Sequence, residues 1–106
     1  MTEPPRIPIE YVSAAELRRI YNRMLSHYLE QEIPLASHIE RLGPLRPDGS
    51  RSTRERMRTP DGRTAAIVHY FLFPDGRIGA SGKKDPKRVV FEGIDYRLNE
   101  ESVYQS

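Results

Sequence analysis

Eleven Lys/Arg and five Asp/Glu fall within residues 44–90, giving that segment a net charge of +6 in a 106-residue chain that totals +2. Its flanks are acidic, net −1 over residues 1–43 and net −3 over residues 91–106. The cations form two clusters beside turns: Arg51, Arg54, Arg56, Arg58 and Arg63, then Lys83, Lys84, Lys87 and Arg88. If 51–58 is a strand, Arg54, Arg56 and Arg58 alternate with Thr53, Glu55 and Met57 and share one face. Three guanidinium groups on one face are suited to track phosphates. The plainer reading is a solvated edge strand kept from aggregating by its charge. A third reading starts a short helix at Ser52, with Glu55 completing a capping box. Together with residues 35–42 that would outline a helix-turn-helix, but the connection is far longer than the usual three to four residues. The strand is preferred.

Residues 76–88 read G-R-I-G-A-S-G-K-K-D-P-K-R. A phosphate-cradling P-loop needs G-x-x-x-x-G-K-[ST] and then a helix. Here Lys84 stands where Ser or Thr is required, Arg77 takes the place of the first glycine, and Asp85-Pro86 blocks a helix. Ile78-Gly79-Ala80-Ser81-Gly82 also contains the G-x-x-G of a KH loop, without the flanking helices that motif requires. The stretch therefore reads as a strand end running into a lysine-rich turn, with Gly79 and Gly82 allowing a close approach of strand and helix.

His27, His38 and His69 are scattered, with no H-x-x-x-H spacing and no adjacent carboxylates, so no metal site is expected. His69 sits among aromatics in an apolar strand. It is either a packed residue with one hydrogen bond or the general base of a small ribonuclease, with nearby Arg or Lys stabilising the phosphorane. Tyr70 and Tyr96, on strands, would bring their hydroxyls to solvent and allow base stacking. The chain has no cysteine, which excludes disulfides and Cys-ligated zinc, and no cofactor signature, so no cofactor is expected. No apolar run reaches membrane-spanning length, and Met1–Pro8 is polar and proline-rich rather than signal-peptide-like. A cytoplasmic protein without membrane contact is expected.

The elements that must position these residues follow from local patterning. Pro4, Pro5 and Pro8 make residues 1–12 an extended arm, with Ile7, Ile9 and Tyr11 alternating as in a short edge strand. Ser13 and Glu16 form a capping box. Leu17, Ile20, Tyr21, Met24, Leu25, Tyr28 and Leu29 repeat at helical spacing, which predicts a helix over 14–31. Pro34 as a start, Gly43-Pro44 as a stop, and Leu35, His38, Ile39 and Leu42 on one face predict a second, shorter helix. Pro-Asp-Gly then occurs three times, at 47–49, 60–62 and 74–76, and each marks a hairpin turn. Strands are expected near 51–58, 63–73, 77–82, 87–91 and 94–98. In the second of these, Ala66, Val68, Tyr70 and Leu72 face one way and Ala65, Ile67, His69, Phe71 and Phe73 the other, so both faces need cover.

The fold class expected is α+β, an N-terminal helical pair packed on a four- to five-stranded antiparallel meander. A single domain spans 13–98 between the arm at 1–12 and a flexible tail at 99–106. The functional expectation is a non-enzymatic nucleic-acid-binding domain, for RNA or DNA, using Arg51, Arg54, Arg56, Arg58, Arg63, Lys83, Lys84, Lys87 and Arg88. Equally consistent with the charge segregation is a protein-interaction module or homodimer in which an acidic tail meets basic hairpins. The order of helices then sheet resembles that of small toxin-type ribonucleases. That fold-level analogy implies an endoribonuclease with His69 as its base.

Overall fold

The computed structural model describes residues 6–79 and 82–100. The chain runs β1 (Ile9–Val12), α1 (Ala14–Glu30), β2 (Ala36–Leu45), β3 (Arg51–Arg58), β4 (Thr64–Leu72), β5 (Asp85–Phe91) and β6 (Ile94–Leu98). The class is α+β, with one helix and a six-stranded sheet ordered β1-β6-β5-β4-β3-β2. Neighbours pair antiparallel except β1, which pairs parallel with β6, so the sheet is mixed.

The helix forms where its pattern places it. Ser13 is the N-cap, and its Oγ accepts from the Glu16 amide at 3.2 Å. Leu17, Ile20, Tyr21 and Met24 are buried, Leu25 and Tyr28 partly so, while Leu29 lies exposed beyond the end of the stripe. The C-terminus closes as a Schellman motif: the Glu32 amide donates to Leu29 O at 3.1 Å and the Ile33 amide to Tyr28 O at 2.9 Å. Glu32 takes the left-handed position, φ 56°, that glycine usually fills.

The core lies between α1 and one sheet face. Ala66, Val68 and Tyr70 of β4, with Val89 and Phe91 of β5, pack against the helix, and Tyr96 and Leu98 border them. The alternation read from β4 holds from Ala66 to Leu72, with Ile67, His69 and Phe71 away from the helix; Ala65, expected with them, joins the core cluster instead, at the register shift between Ala66 and Thr64.

Three expectations need correction. Residues 36–45 are strand β2, not a second helix. The Pro47-Asp48-Gly49 turn is a hairpin turn, and a hairpin needs a strand on both sides. Arg46 N–H donates to Ser50 O at 2.8 Å, Gly49 N–H to Arg46 O at 2.9 Å, and Asp48 Oδ1 accepts from the Ser50 amide. A helix of about eight residues is marginal alone, whereas pairing with β3 satisfies the backbone groups of β2 that face it. Ile39 and Leu42, expected on a buried helix face, are each 50% exposed. Second, the sheet has six strands rather than four or five, and it is mixed because the arm adds β1 as a parallel edge. Third, the expected strand at 77–82 reduces to one bridge, Ile78 to Leu72, with residues 80 and 81 outside the described residues. The start of the arm and the tail beyond Glu100 also lie outside them.

The three Pro-Asp-Gly turns share one construction. Before each proline, Arg46, Thr59 and Phe73 accept from the glycine amide two residues after it. The glycines stand at φ 88°, 86° and 88°, the left-handed position of a three-residue hairpin loop.

Candidate functional site

The sheet face away from α1 is open, and strand register decides which side chains meet there. His38 pairs with Arg56, Arg56 with Ile67, Ile67 with Arg88, Arg88 with Arg97, and Arg97 with Tyr11. Residues directly opposite in a sheet point to the same side. A single row therefore crosses all six strands, with three arginines in it. Arg54 lies two positions from Arg56 on the same face, and Lys87 sits at the β-bulge where β4 and β5 change register. Arg54, Arg56, Lys87, Arg88 and Arg97 line one groove of about 730 Å³, with Ile67 and Tyr11. Ile67 is buried although it faces away from the helix. The aliphatic stems of Arg56 and Arg88 flank it, a usual role for arginine stems.

Two carboxylates organise the arginines into paired units. Asp95, 2% exposed, accepts two hydrogen bonds from Arg88, at Nε and Nη2, both 2.9 Å. Arg97 Nη2 adds a third at 2.9 Å. Burial pushes the Asp95 carboxyl up, and the bonds from Arg88 and Arg97 outweigh it, so its pKa lies below the ordinary value. On the other side, Glu40 bridges Arg54 Nε at 3.0 Å and Arg56 Nε at 2.9 Å. The Arg56 hydrogen bond leads in holding the Glu40 carboxyl below its usual range. Each arginine–carboxylate–arginine unit keeps one net positive charge. Lys87 makes no ion pair among the described residues.

Of the nine cations singled out in the sequence, Arg54, Arg56, Lys87 and Arg88 meet in this groove. The other five lie elsewhere. Arg51 donates to Gly43 O at 3.2 Å, and Arg58 to Gly62 O at 3.0 Å. Arg63 pairs with Asp61 inside its own turn at 3.0 Å. Lys83 and Lys84 line a separate hollow beside α1, with Arg18 and Tyr21. Lys84 is bound at 3.1 Å to Glu55, a buried carboxylate that also accepts from the Tyr70 hydroxyl at 2.6 Å. Burial raises the Glu55 pKa, and the Tyr70 and Lys84 hydrogen bonds more than reverse it, leaving it low. Burial and Glu55 together push the Tyr70 hydroxyl well up. Tyr70 is thus a core residue with a bonded hydroxyl and presents no stacking surface.

His69 is half-buried on the open face. Its Nε2 lies 2.7 Å from Ser52 Oγ, and its ring meets Phe71 edge-on at 5.1 Å. Burial first, then Lys87, lower its pKa, so the imidazole is neutral at pH 7. His38 is exposed on β2, and His27 packs against Tyr28 and Phe91. Among the described residues no group of three or more His, Asp or Glu could hold a metal ion. No described helix is long and apolar enough to cross a membrane. The glycines of 76–88 also have local explanations. A Cβ on Gly79 would come within 2.9 Å of the Phe73 ring and 3.3 Å of Phe71 Cβ, so the close approach is to aromatics, not to the helix. Gly82 has nothing within 4 Å but sits at φ 71°.

Two residues lining the groove, Arg97 and Tyr11, and the two carboxylates that bind its arginines, Asp95 and Glu40, were not singled out as site residues from the sequence. Arg97 and Asp95 lie in the acidic C-terminal segment, so a search by charge density passes over them. The i, i+2 spacing of Asp95 and Arg97 on a predicted strand was the available signal. Comparisons with protein-family models, with curated proteins and with solved structures find no match to this chain.

Proposed function

We propose that this protein is a non-enzymatic nucleic-acid-binding domain that holds its ligand as a polyanion in the groove of the open sheet face. One observation supports the reading: cations from β3, β5 and β6 line a single concavity and outnumber the carboxylates there. Two arginine–carboxylate–arginine units and Lys87 supply about three effective positive charges. Glu100, which also lines the groove, subtracts one. Paired carboxylates do not abolish such a site, because they fix the guanidinium planes and leave other N–H donors free.

The charge count sets the test. Single-stranded oligonucleotides titrated at rising salt should give a log–log slope of about −1.5 to −2, from two to three neutralised phosphates. A site using all nine cations would give about −6. Lys87→Ala should weaken binding to every sequence and flatten the slope by roughly 0.7. Arg19→Ala, on the exposed side of α1, should leave both unchanged. Absence of binding at low salt, or a flat salt response, removes the proposal.

A protein-interaction or homodimer role has one supporting observation of its own. Ile39, Leu42 and Leu45 stand exposed on edge strand β2, where a partner would cover them. Light scattering over a concentration series tests it, and a monomer throughout argues against it. The endoribonuclease reading would have to use His69 with Nε2 engaged by Ser52. It requires RNA cleavage that His69→Ala abolishes with the fold intact.

A further inference from the structure

We propose that the groove takes a single strand of nucleic acid, with one base stacked on the Tyr11 ring. The inference rests on the polyanion reading above and specifies its ligand. Tyr11 belongs to edge strand β1, is 63% exposed, and lines the same groove as the arginines. Its Cα partner is Arg97, so an aromatic face ends the row that begins with the guanidiniums. Cations that track a backbone beside an aromatic platform are the two parts of a single-strand site.

Geometry favours an unpaired strand. From Arg56 to Tyr11 the row crosses four strand spacings, about 19 Å. A stacked strand carries a phosphate about every 3.4 Å, so the row matches roughly six nucleotides. In a duplex the base faces are covered by their neighbours, and none can reach Tyr11. Arg97 is also free to adjust. Arg88 grips Asp95 through two nitrogens, whereas Arg97 uses Nη2 alone and its Nε is buried without a hydrogen-bond partner. Turning the Arg97 guanidinium toward a phosphate beside Tyr11 gives up a single hydrogen bond.

The experiment compares an oligothymidine of about ten nucleotides with a duplex of the same length, by fluorescence anisotropy at low salt. The single strand should bind at least about tenfold more tightly. The chain has no tryptophan, so tyrosine emission is directly readable and should be quenched on binding. Tyr11→Ala should weaken single-strand binding roughly five- to a hundredfold, with the salt slope and the circular dichroism unchanged. Tyr11→Phe, which keeps the ring, should restore it. Equal affinity for duplex, or wild-type affinity in Tyr11→Ala with the salt slope retained, overturns the stacking inference and leaves the groove reading standing. Loss of salt-dependent binding to both strands overturns the groove reading, and this inference with it.

Discussion

Asp95 shows how one side chain sets the character of the groove. It is a buried carboxylate holding two guanidiniums that are themselves partly exposed, at 29% and 39%. Removing one partner of a fully buried pair costs about 3–5 kcal/mol, and the exposure of Arg88 and Arg97 lowers that figure. Asp95→Asn should therefore destabilise the fold by about 1–3 kcal/mol. The same change releases one net positive charge into the groove, so polyanion affinity should rise while stability falls. Urea denaturation and oligonucleotide titration of one preparation give both signs. Affinity falling together with stability would mean that the arginines bind only when Asp95 orients them. Glu40 makes the same kind of bridge at the far side of the sheet, on edge strand β2, where water screens it and its worth is smaller.

At the scale of elements, the helix C-terminus carries a removable strain. Glu32 occupies the left-handed site of a Schellman motif at φ 56°, a conformation that costs a non-glycine residue about 1–2 kcal/mol. Glu32→Gly should raise stability by about 0.5–1 kcal/mol, after the extra chain entropy glycine brings to the unfolded state. An unchanged or lower denaturant midpoint would show that the Glu32 side chain contributes something the strain argument omits. Element type was legible where local signals agreed. For α1, cap, stripe and length coincide, and β3 and β4 follow from turn chemistry on both sides. Residues 36–45 misled because Leu35, His38, Ile39 and Leu42 have helical spacing by accident of a bulged strand, whose register shifts between Ile39 and Arg41 and again before Leu45. The Pro47-Asp48-Gly49 turn held the opposing signal, since its upstream arm had to be a strand. The candidate site was half legible for a related reason. The face shared by Arg54 and Arg56 follows from period two alone. Which of Lys83, Lys84, Lys87 and Arg88 joins them depends on a bulge in β5, and that Tyr11 completes the row beside Arg97 depends on β1 pairing parallel with β6. Those are long-range pairings with no local cue.

Taken as a whole, the molecule has a helix on one sheet face and arginines on the other. Arg46 lies 4.4 Å over the Phe71 ring and Arg77 5.2 Å over Phe73, and arginine stems flank Ile67, so the apolar open face is shielded without a second layer. That shield is sustained by carboxylates, and the pH dependence of stability follows. Asp95, Glu55 and Glu40 titrate below their ordinary values in the folded protein. Their contribution is complete above the unfolded values of about 3.9 for Asp and 4.3 for Glu, and it disappears as pH falls through the folded ones. His69 also titrates below its ordinary 6.5. Between that value and its folded one the unfolded chain binds the extra proton, so stability already declines as pH drops beneath about 6.5. Tyr70 and Tyr21 titrate above their ordinary 10.0, so above about pH 10 the unfolded chain loses protons first and stability falls again. Urea midpoints measured from pH 3 to 11 should thus form a plateau between about 6.5 and 10, with a shallow acid shoulder followed by a steeper loss below about 4. His69→Gln should remove the shoulder and leave the steeper step. Midpoints that hold steady below about pH 4 would mean that the carboxylate–arginine units contribute little to holding the open face together.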